Sequence, residues 1–277
     1  MTPHLTRSHV DGLDVQDLKI RYGGVTAVKD VNLAAPTGRL TGLIGPNGAG
    51  KTSILNACSG VVRASGGRVH LFGRDVTRSE IAARARRGLG RTFQRLELCD
   101  SMTASENIAL GVECGLAGRN PLRQLVSTRV DRRTVAGAVD EALTTCDLVA
   151  VAHRPVGLLS TGQRRLVELA RVVAGRYRIL LLDEPSSGLD HKETEHFGRI
   201  LRSLVDSGRG ILLVEHDMEL VMSICDYLYV LDFGTQIFEG TTTETRNSEV
   251  VRAAYLGGDV ELEMASGSVP GERKEVG

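Results

Sequence analysis

One glycine-rich segment, residues 45–52, has the residue types and spacing that bind a nucleoside triphosphate. Its pattern is G-x-x-x-x-G-K-[ST], the P-loop pattern. Glycines allow successive backbone N–H groups to curl around an anion. The lysine can reach the β- and γ-phosphates, and the threonine hydroxyl can ligate Mg²⁺. The predicted nucleotide-binding residues are Gly45, Pro46, Asn47, Gly48, Ala49, Gly50, Lys51, Thr52 and the following Ser53.

The segments on either side of the P-loop have the composition that the motif requires. The apolar run 40–44 predicts a short buried strand, and residues 53–58 predict the start of a helix. A helix N-terminus adds unpaired N–H groups and a partial positive charge, which favour a bound phosphate. The alternative is a chance glycine-rich turn before a helix, and the strand–loop–helix context argues against it.

A second segment places two carboxylates directly after a buried strand. Four aliphatic residues, 179–182, precede Asp183 and Glu184, and open α/β sheets place their ligands at the carboxyl ends of strands. Asp183 is the candidate Mg²⁺ residue, through a water molecule. Glu184 points elsewhere because it is one residue on, and it is the candidate base for an attacking water. The alternative is a pair of solvated carboxylates at a strand end.

A third segment, Leu159-Ser160-Thr161-Gly162-Gln163, precedes a predicted helix. Ser160 and Gln163 have capping-box spacing, which is a structural role. A bare glycine and a serine hydroxyl at a helix start also suit a phosphate. The residues alone leave both interpretations open.

Composition restricts the class of protein. The chain has 277 residues and a net charge of +0, so nothing global favours nucleic acid as a partner. The five cysteines are scattered and form no C-x-x-C pair, which predicts reduced thiols in a cytosolic protein and argues against zinc. No signal peptide is evident, and no apolar run approaches the ~18 residues that span a bilayer.

Periodicity predicts an α/β fold in which a helical lobe at about 95–175 interrupts the strands. One helix face is formed by Val135, Val139, Ala142, Cys146 and Val149, at steps of 4, 3, 4 and 3. Residues 1–13 and 258–277 are expected to be disordered around a folded domain at 14–257. A hairpin is predicted near Asp232-Phe233-Gly234, and Thr241 and Glu244 have capping-box spacing.

The three segments, in the chain order 45–52, 159–163 and 182–185, resemble those of ABC-type ATPases, whose signature is usually written LSGGQ where this chain has LSTGQ. The resemblance covers about 14–257. It implies a P-loop NTPase core with a mixed or parallel sheet, an antiparallel β subdomain and an inserted helical subdomain. It also implies ATP and Mg²⁺ as cofactors.

The same resemblance implies further site residues. Tyr22 matches the adenine-stacking aromatic, although a core tyrosine at a strand end is the alternative. Gln94 matches the glutamine that senses Mg²⁺ and the attacking water, residues 187–190 resemble the D-loop, and His216 matches the switch histidine on the γ-phosphate. The implied catalytic residues are Lys51, Gln94, Glu184 and His216, and the implied metal residues are Thr52, Gln94 and Asp183.

The family pattern also implies a second cassette, in a homodimer or heterodimer. Ser160, Gly162 and Gln163 would complete the nucleotide site of that partner, and two ATP molecules would be held in a head-to-tail dimer. Thr161 replaces the usual glycine, so its side chain must point away from the nucleotide or crowd it.

Narrower features are similar to the ATP-binding subunits of branched-chain amino-acid importers. They are residues 21–28, 91–94, 188–194, 211–222 and 251–257. That resemblance implies permease subunits, indirect action with a solute-binding protein, no nucleic acid, and a position at the cytoplasmic face of the membrane. The alternatives are urea or amide uptake, lipopolysaccharide export, a regulatory cassette, or a soluble non-transport ABC protein.

Two arginine-rich stretches have two open interpretations, a solvated face or a face toward the permease or anionic lipid. The first stretch contains Arg78, Arg84, Arg86, Arg87, Arg91 and Arg95, and the second contains Arg119, Arg123, Arg129, Arg132 and Arg133.

Overall fold

A computed structural model describes residues 10–92, 98–117 and 129–256. The strands are β1 (Gly12–Tyr22), β2 (Val25–Pro36), β3 (Leu40–Ile44), β4 (Gly66–Leu71), β5 (Arg74–Asp75), β6 (Leu89–Arg91), β7 (Ile179–Asp183), β8 (Gly210–Val214), β9 (Tyr227–Asp232) and β10 (Thr235–Gly240). The helices are α1 (Lys51–Ser59), α2 (Ile81–Arg86), α3 (Ala104–Ala117), α4 (Arg129–Thr145), α5 (Thr161–Ala174), α6 (His191–Asp206), α7 (Met218–Ile224), α8 (Thr242–Asn247) and α9 (Glu249–Leu256).

The strands form two sheets. An antiparallel sheet has the order β2-β1-β4-β5, and a six-stranded sheet has the order β10-β9-β3-β8-β7-β6. In the larger sheet β9, β3, β8, β7 and β6 are parallel, and β10 pairs antiparallel with β9. The predicted mixed sheet, antiparallel subdomain and inserted helices are therefore confirmed.

The buried strands of the larger sheet separate two hydrophobic cores. On β7, Ile179 and Leu181 face one core together with α1 and the antiparallel sheet, whereas Leu180 and Leu182 face the other core together with the helical lobe. Every residue of β3, β7 and β8 is buried, as expected for parallel strands covered on both faces. The carboxyl ends of these three strands consequently meet at one edge of the sheet.

The helical lobe consists of α3, α4 and α5. The predicted face of α4 is largely correct, because Val139, Ala142 and Cys146 are buried. Val149 is an exception: the helix ends at Thr145, Asp147 has a φ of 54°, and Val149 opens a 3₁₀ turn with its side chain 63% exposed. The helical spacing of apolar residues in the sequence therefore extends past Thr145, where the helix itself ends.

One predicted boundary shifts. The first strand begins at Gly12, so residues 12 and 13 belong to the sheet and not to a disordered N-terminus. Residues 1–9, 93–97, 118–128 and 257–277 lie outside the described residues, and so do the predictions made for them. Within the described ranges, no helix is both long and apolar enough to cross a bilayer.

Arg84 does not belong to a solvated basic face, because it is only 2% exposed. Its Nη1 donates to the carbonyls of Ala57 (2.6 Å) and Cys58 (2.7 Å) at the end of α1. Nε and Nη2 donate to the carbonyls of Ser79 and Thr77. The last carbonyls of a helix have no partner within the helix and carry partial negative charge. The guanidinium therefore caps the helix that begins at the P-loop.

We predict that Arg84→Met lowers the free energy of unfolding by about 3 kcal/mol, because it leaves buried carbonyls without donors. Urea denaturation of the full chain measures this loss. The matched control is Arg86→Met, which changes an exposed arginine of α2, the helix that also contains Arg84. For this control we expect a change within about 0.5 kcal/mol. Equal losses for the two variants would contradict the capping role.

Candidate functional site

The P-loop connects β3 to α1 at the edge where the parallel strands end. Gly45 has a φ of 149°, and a side chain there would collide with the carbonyl of Leu231. Gly50 has a φ of 99°, and a Cβ would lie 2.7 Å from the carbonyl oxygen of Ala27. These glycines are therefore required by the backbone and by close neighbours. The first turn of α1 supplies N–H groups that have no partner within the helix.

Lys51 is held at the base of the P-loop. Its side chain is buried, and Nζ donates to the carbonyls of Gly45 (2.7 Å) and Pro46 (3.0 Å). Burial lowers the pKa of Lys51, and the nearby carboxylates of Glu184 and Asp183 oppose that shift. The loop thus contains a fixed positive charge next to a helix N-terminus, which is the arrangement that binds phosphate.

Asp183, at the end of β7, lies between a hydroxyl and a guanidinium. Thr52 Oγ1 donates to Asp183 Oδ1 (3.4 Å), and Arg91 Nη2 donates to Asp183 Oδ2 (3.3 Å). Burial raises the pKa of Asp183, and Arg91 is the main influence that opposes this rise. Arg91 is also fixed by Ser59 Oγ (2.7 Å) at the end of α1.

The pairing of Thr52 with Asp183 fits a site for Mg²⁺. Both side chains supply oxygen ligands, which this hard cation prefers. Among the residues described, no group of three or more His, Cys, Asp or Glu is arranged to hold a metal ion. Mg²⁺ is commonly held in proteins by one or two side chains, with phosphate and water as the other ligands.

Glu184 and His216 follow neighbouring strands and face each other. Glu184 has a φ of 48°, uncommon for a residue with a side chain, and its N–H donates to the carbonyl of Val214 (2.9 Å) at the end of β8. His216 Nδ1 lies 4.0 Å from Glu184 Oε2. The strained conformation holds Glu184 beside the histidine while Asp183 faces Thr52 and Arg91.

Tyr22 and Ser53 lie next to each other at the first turn of α1. The Tyr22 hydroxyl donates to Ser53 Oγ (3.4 Å), and the tyrosine remains 45% exposed. The tyrosine is therefore not a core residue. An accessible aromatic ring beside the P-loop can stack on a nucleobase, because every base has a π-face.

The segment 159–163 starts α5 in the helical lobe. Ser160 and Gln163 form the complete capping box that their spacing predicts. A Cβ on Gly162 would collide with the carboxylate of Glu193, and the methyl of Thr161 lies beside Gly188. Arg165 Nε donates to the carbonyl of Ser187 (3.3 Å). The segment is thus packed against residues 187–193 of the same chain.

The structure brings together most of the predicted site. Tyr22, the P-loop, Asp183, Glu184 and His216 lie on or beside the edge where β3, β7 and β8 end. Ser160, Gly162 and Gln163 form a separate group in the helical lobe. Gln94 lies outside the described residues.

Sequence reasoning missed Arg91 as part of this edge, because it was grouped with the basic stretch. Its side chain is only 7% exposed. The available signal was its position at the end of β6, parallel to the strand that ends in Asp183.

Comparison with known proteins agrees with this geometry. The family described as "ABC transporter" matches residues 28–187. The chain is 39% identical over 249 residues to the high-affinity branched-chain amino acid transport ATP-binding protein BraF of Pseudomonas aeruginosa, covering 88% of this chain and 97% of that protein. It is 37% identical over 253 residues to LivG of Escherichia coli, the protein of the same description, with coverages of 88% and 97%.

Two further matches are informative. The lipopolysaccharide export system ATP-binding protein LptB of Escherichia coli is 32% identical over 250 residues, covering 90% of this chain and 99% of that protein. Among solved structures, the ADP conformation of an ATP-binding cassette of an ABC transporter superposes with a TM-score of 0.78 at 29% identity, covering 89% of this chain and 98% of that chain.

We predict that Arg91→Met lowers the free energy of unfolding by about 3 kcal/mol, because it leaves the Asp183 carboxylate buried without its guanidinium. In the double variant Arg91→Met/Asp183→Asn, the loss of unfolding free energy should be about 1–3 kcal/mol smaller than the sum of the two single-variant losses, since the two residues interact directly. A double-mutant cycle in urea denaturation measures the coupling. Purely additive losses would show that the two side chains do not stabilise each other.

Proposed function

The chain belongs to the ABC transporter family, and on that premise we propose that it is the ATP-hydrolysing subunit of an importer. The proposed cargo is a branched-chain amino acid or a related small polar solute. The observation that carries the proposal is the meeting of Lys51, Thr52, Asp183, Glu184 and His216 at one edge of the parallel sheet. Membership of the family makes the chain an ATPase, and the named residues are our assignment of the roles.

Nucleotide binding follows from the P-loop and its surroundings. Backbone N–H groups of residues 45–52, the N-terminus of α1 and the Lys51 ammonium bind the phosphates. The Tyr22 ring stacks on the adenine, and Ser53 lies beside it at the first turn. Mg²⁺ neutralises charge on the phosphate oxygens when it is bound, and Thr52 and Asp183 are the residues that would hold it.

Hydrolysis follows from the two groups after β7 and β8. Glu184 accepts a proton from the attacking water as general base. His216, which faces Glu184, contacts the γ-phosphate and so fixes the reacting group beside the base. Gln94 is assigned a role in sensing the metal and the water from the family pattern alone. Catalysis then consists mainly of positioning and charge stabilisation.

A second cassette completes each nucleotide site in this proposal. Ser160 accepts a hydrogen bond from Gln163 within its capping box, and its own O–H can still donate to a phosphate. Gly162 itself is buried against the Glu193 carboxylate, so its role in the partner's site is assigned from the family pattern. The start of α5 is thus suited to a phosphate held by the P-loop of the partner.

The transport assignment rests on the relatives. BraF and LivG, whose names specify branched-chain amino acid transport, share more sequence with this chain than LptB does. We therefore place importers of this kind before lipopolysaccharide export. The partners in this proposal are permease subunits and, indirectly, a solute-binding protein, and the cassette lies at the cytoplasmic face of the membrane.

We predict that Glu184→Gln binds ATP and dimerises with it but hydrolyses it at least about 100-fold more slowly, because the general base is lost. Fluorescent-nucleotide binding, size-exclusion chromatography and phosphate release measure the three properties. Glu249→Gln, an exposed glutamate at the start of α9, is the matched control and should behave as wild type. Turnover at the wild-type rate in Glu184→Gln would remove Glu184 from the role of base.

We predict that membrane recruitment of the chain requires co-expressed permease subunits, because the proposed membrane attachment is through them.

Vesicles that contain the chain, its permeases and a binding protein should accumulate radiolabelled leucine only when ATP is inside. The Lys51→Ala variant should be recruited equally and transport nothing. ATP-driven export of lipid-linked saccharide, without leucine uptake, would instead support the export alternative.

A further inference from the structure

One fully buried carboxylate next to the site has no role in the function proposed above. Glu215 is 0% exposed, although it directly precedes the exposed His216 at the end of β8. A buried carboxylate is costly unless several donors satisfy it. Its partners therefore indicate what the position is for.

Within the described part of the chain, three hydrogen bonds of Glu215 go to segments that position the candidate catalytic groups. Oε1 accepts from the N–H (2.9 Å) and the hydroxyl (2.7 Å) of Ser186, two residues after Glu184. Oε2 accepts from the N–H of His216 (3.2 Å). One carboxylate thus joins the segment that follows β7 to the residue that follows β8.

The backbone adds a second connection between these strand ends. The N–H of Glu184 donates to the carbonyl of Val214, which extends the ladder between β7 and β8 by one bond. Beyond that bond the strands separate, because Glu184 has a positive φ and Pro185 follows. The Glu215 carboxylate continues the connection where the ladder ends.

We propose that Glu215 is a positioning residue, which fixes the distance between the Glu184 carboxylate and the His216 imidazole. The inference rests on the proposed function, since it assigns a purpose only if Glu184 and His216 catalyse. Ser186 leads into Ser187, whose carbonyl is held by Arg165 of α5. The position of the helical lobe is therefore connected, through Ser186 and Glu215, to the histidine.

The chemistry requires a carboxylate at this position. All three partners are donors, and only a group with two acceptor oxygens satisfies both sides. A glutamine has the same shape but presents an amide NH₂ to one side. With its oxygen on Ser186, its NH₂ would face the N–H of His216. Glu215→Gln thus preserves volume and breaks one side of the connection.

The test uses the full chain with ATP and Mg²⁺. For Glu215→Gln we expect kcat to fall about 10-fold to 100-fold, the effect of a small misplacement of catalytic groups. We expect the KM for ATP to stay within about twofold, since the P-loop is unchanged. Inhibition by orthovanadate, which with ADP mimics the five-coordinate phosphorus of the transition state, should weaken by the same factor as kcat.

Two further variants separate positioning from stability. Ser186→Ala removes one hydrogen bond, and we expect kcat to fall about threefold with the KM unchanged, so the inference stays testable if Glu215→Gln does not fold. Glu219→Gln, the same substitution at an exposed site of α7, should match wild type. Thermal denaturation of each variant shows the fraction folded at the assay temperature.

The outcomes distinguish the two proposals. If wild type hydrolyses ATP and folded Glu215→Gln matches it in kcat and vanadate inhibition, the inference about Glu215 is wrong and the proposed function stands. A raised KM with unchanged kcat, or a loss of kcat equal to the loss of folded protein, would also overturn it. Failure of wild type to hydrolyse ATP would instead overturn the proposed function.

Discussion

The carboxylate of Asp183 is buried at the edge of the sheet, and two neighbouring donors oppose the effect of that burial on its charged form. Desolvation favours its neutral form, and the Arg91 guanidinium and the Thr52 hydroxyl oppose that effect from opposite oxygens. Arg91 is fixed in turn by Ser59 at the end of α1, while Thr52 belongs to the first turn of the same helix. The position of the acid therefore depends on both ends of α1, and α1 depends on the P-loop that starts it.

The two ends of α1 have opposite partial charges and therefore suit partners of opposite charge. Its N-terminus, with Lys51 beside it, presents N–H groups and positive charge to a phosphate. Its C-terminus presents carbonyls, and these are bonded by the buried Arg84. The helix is only nine residues long, too short to be stable alone in water. Arg84 and the hydrophobic core that α1 shares with the antiparallel sheet thus hold the helix with its N-terminus at the candidate site.

The fold and the site residues at the ends of the parallel strands were predictable because hydrophobic pattern and motif spacing indicated the same elements. Apolar runs marked β3, β7 and β8, and the P-loop, Asp183 and His216 fell at or just after the ends of these strands. Arg84 and Arg91 were not predictable as buried residues, since a cluster of arginines in a sequence usually indicates a solvent-exposed face. Their burial depends on carbonyls and a carboxylate that are distant in sequence. The extra turn assigned to α4 failed for a related reason, because apolar spacing does not reveal where the backbone reverses.

Both the fold of this chain and the proposed dimer restrict which residue can occupy position 162 at the start of α5. Within the chain, a side chain there would meet the Glu193 carboxylate, which itself caps α6 by accepting from the N–H of Asp190 (3.2 Å). In the proposed dimer, the family pattern assigns the same glycine to the partner's nucleotide site. Thr161, which replaces a glycine of the usual LSGGQ sequence, is exposed, and its methyl lies beside Gly188. In the proposed dimer, the P-loop and the start of α5 therefore belong to different nucleotide sites, and each site depends on a second molecule.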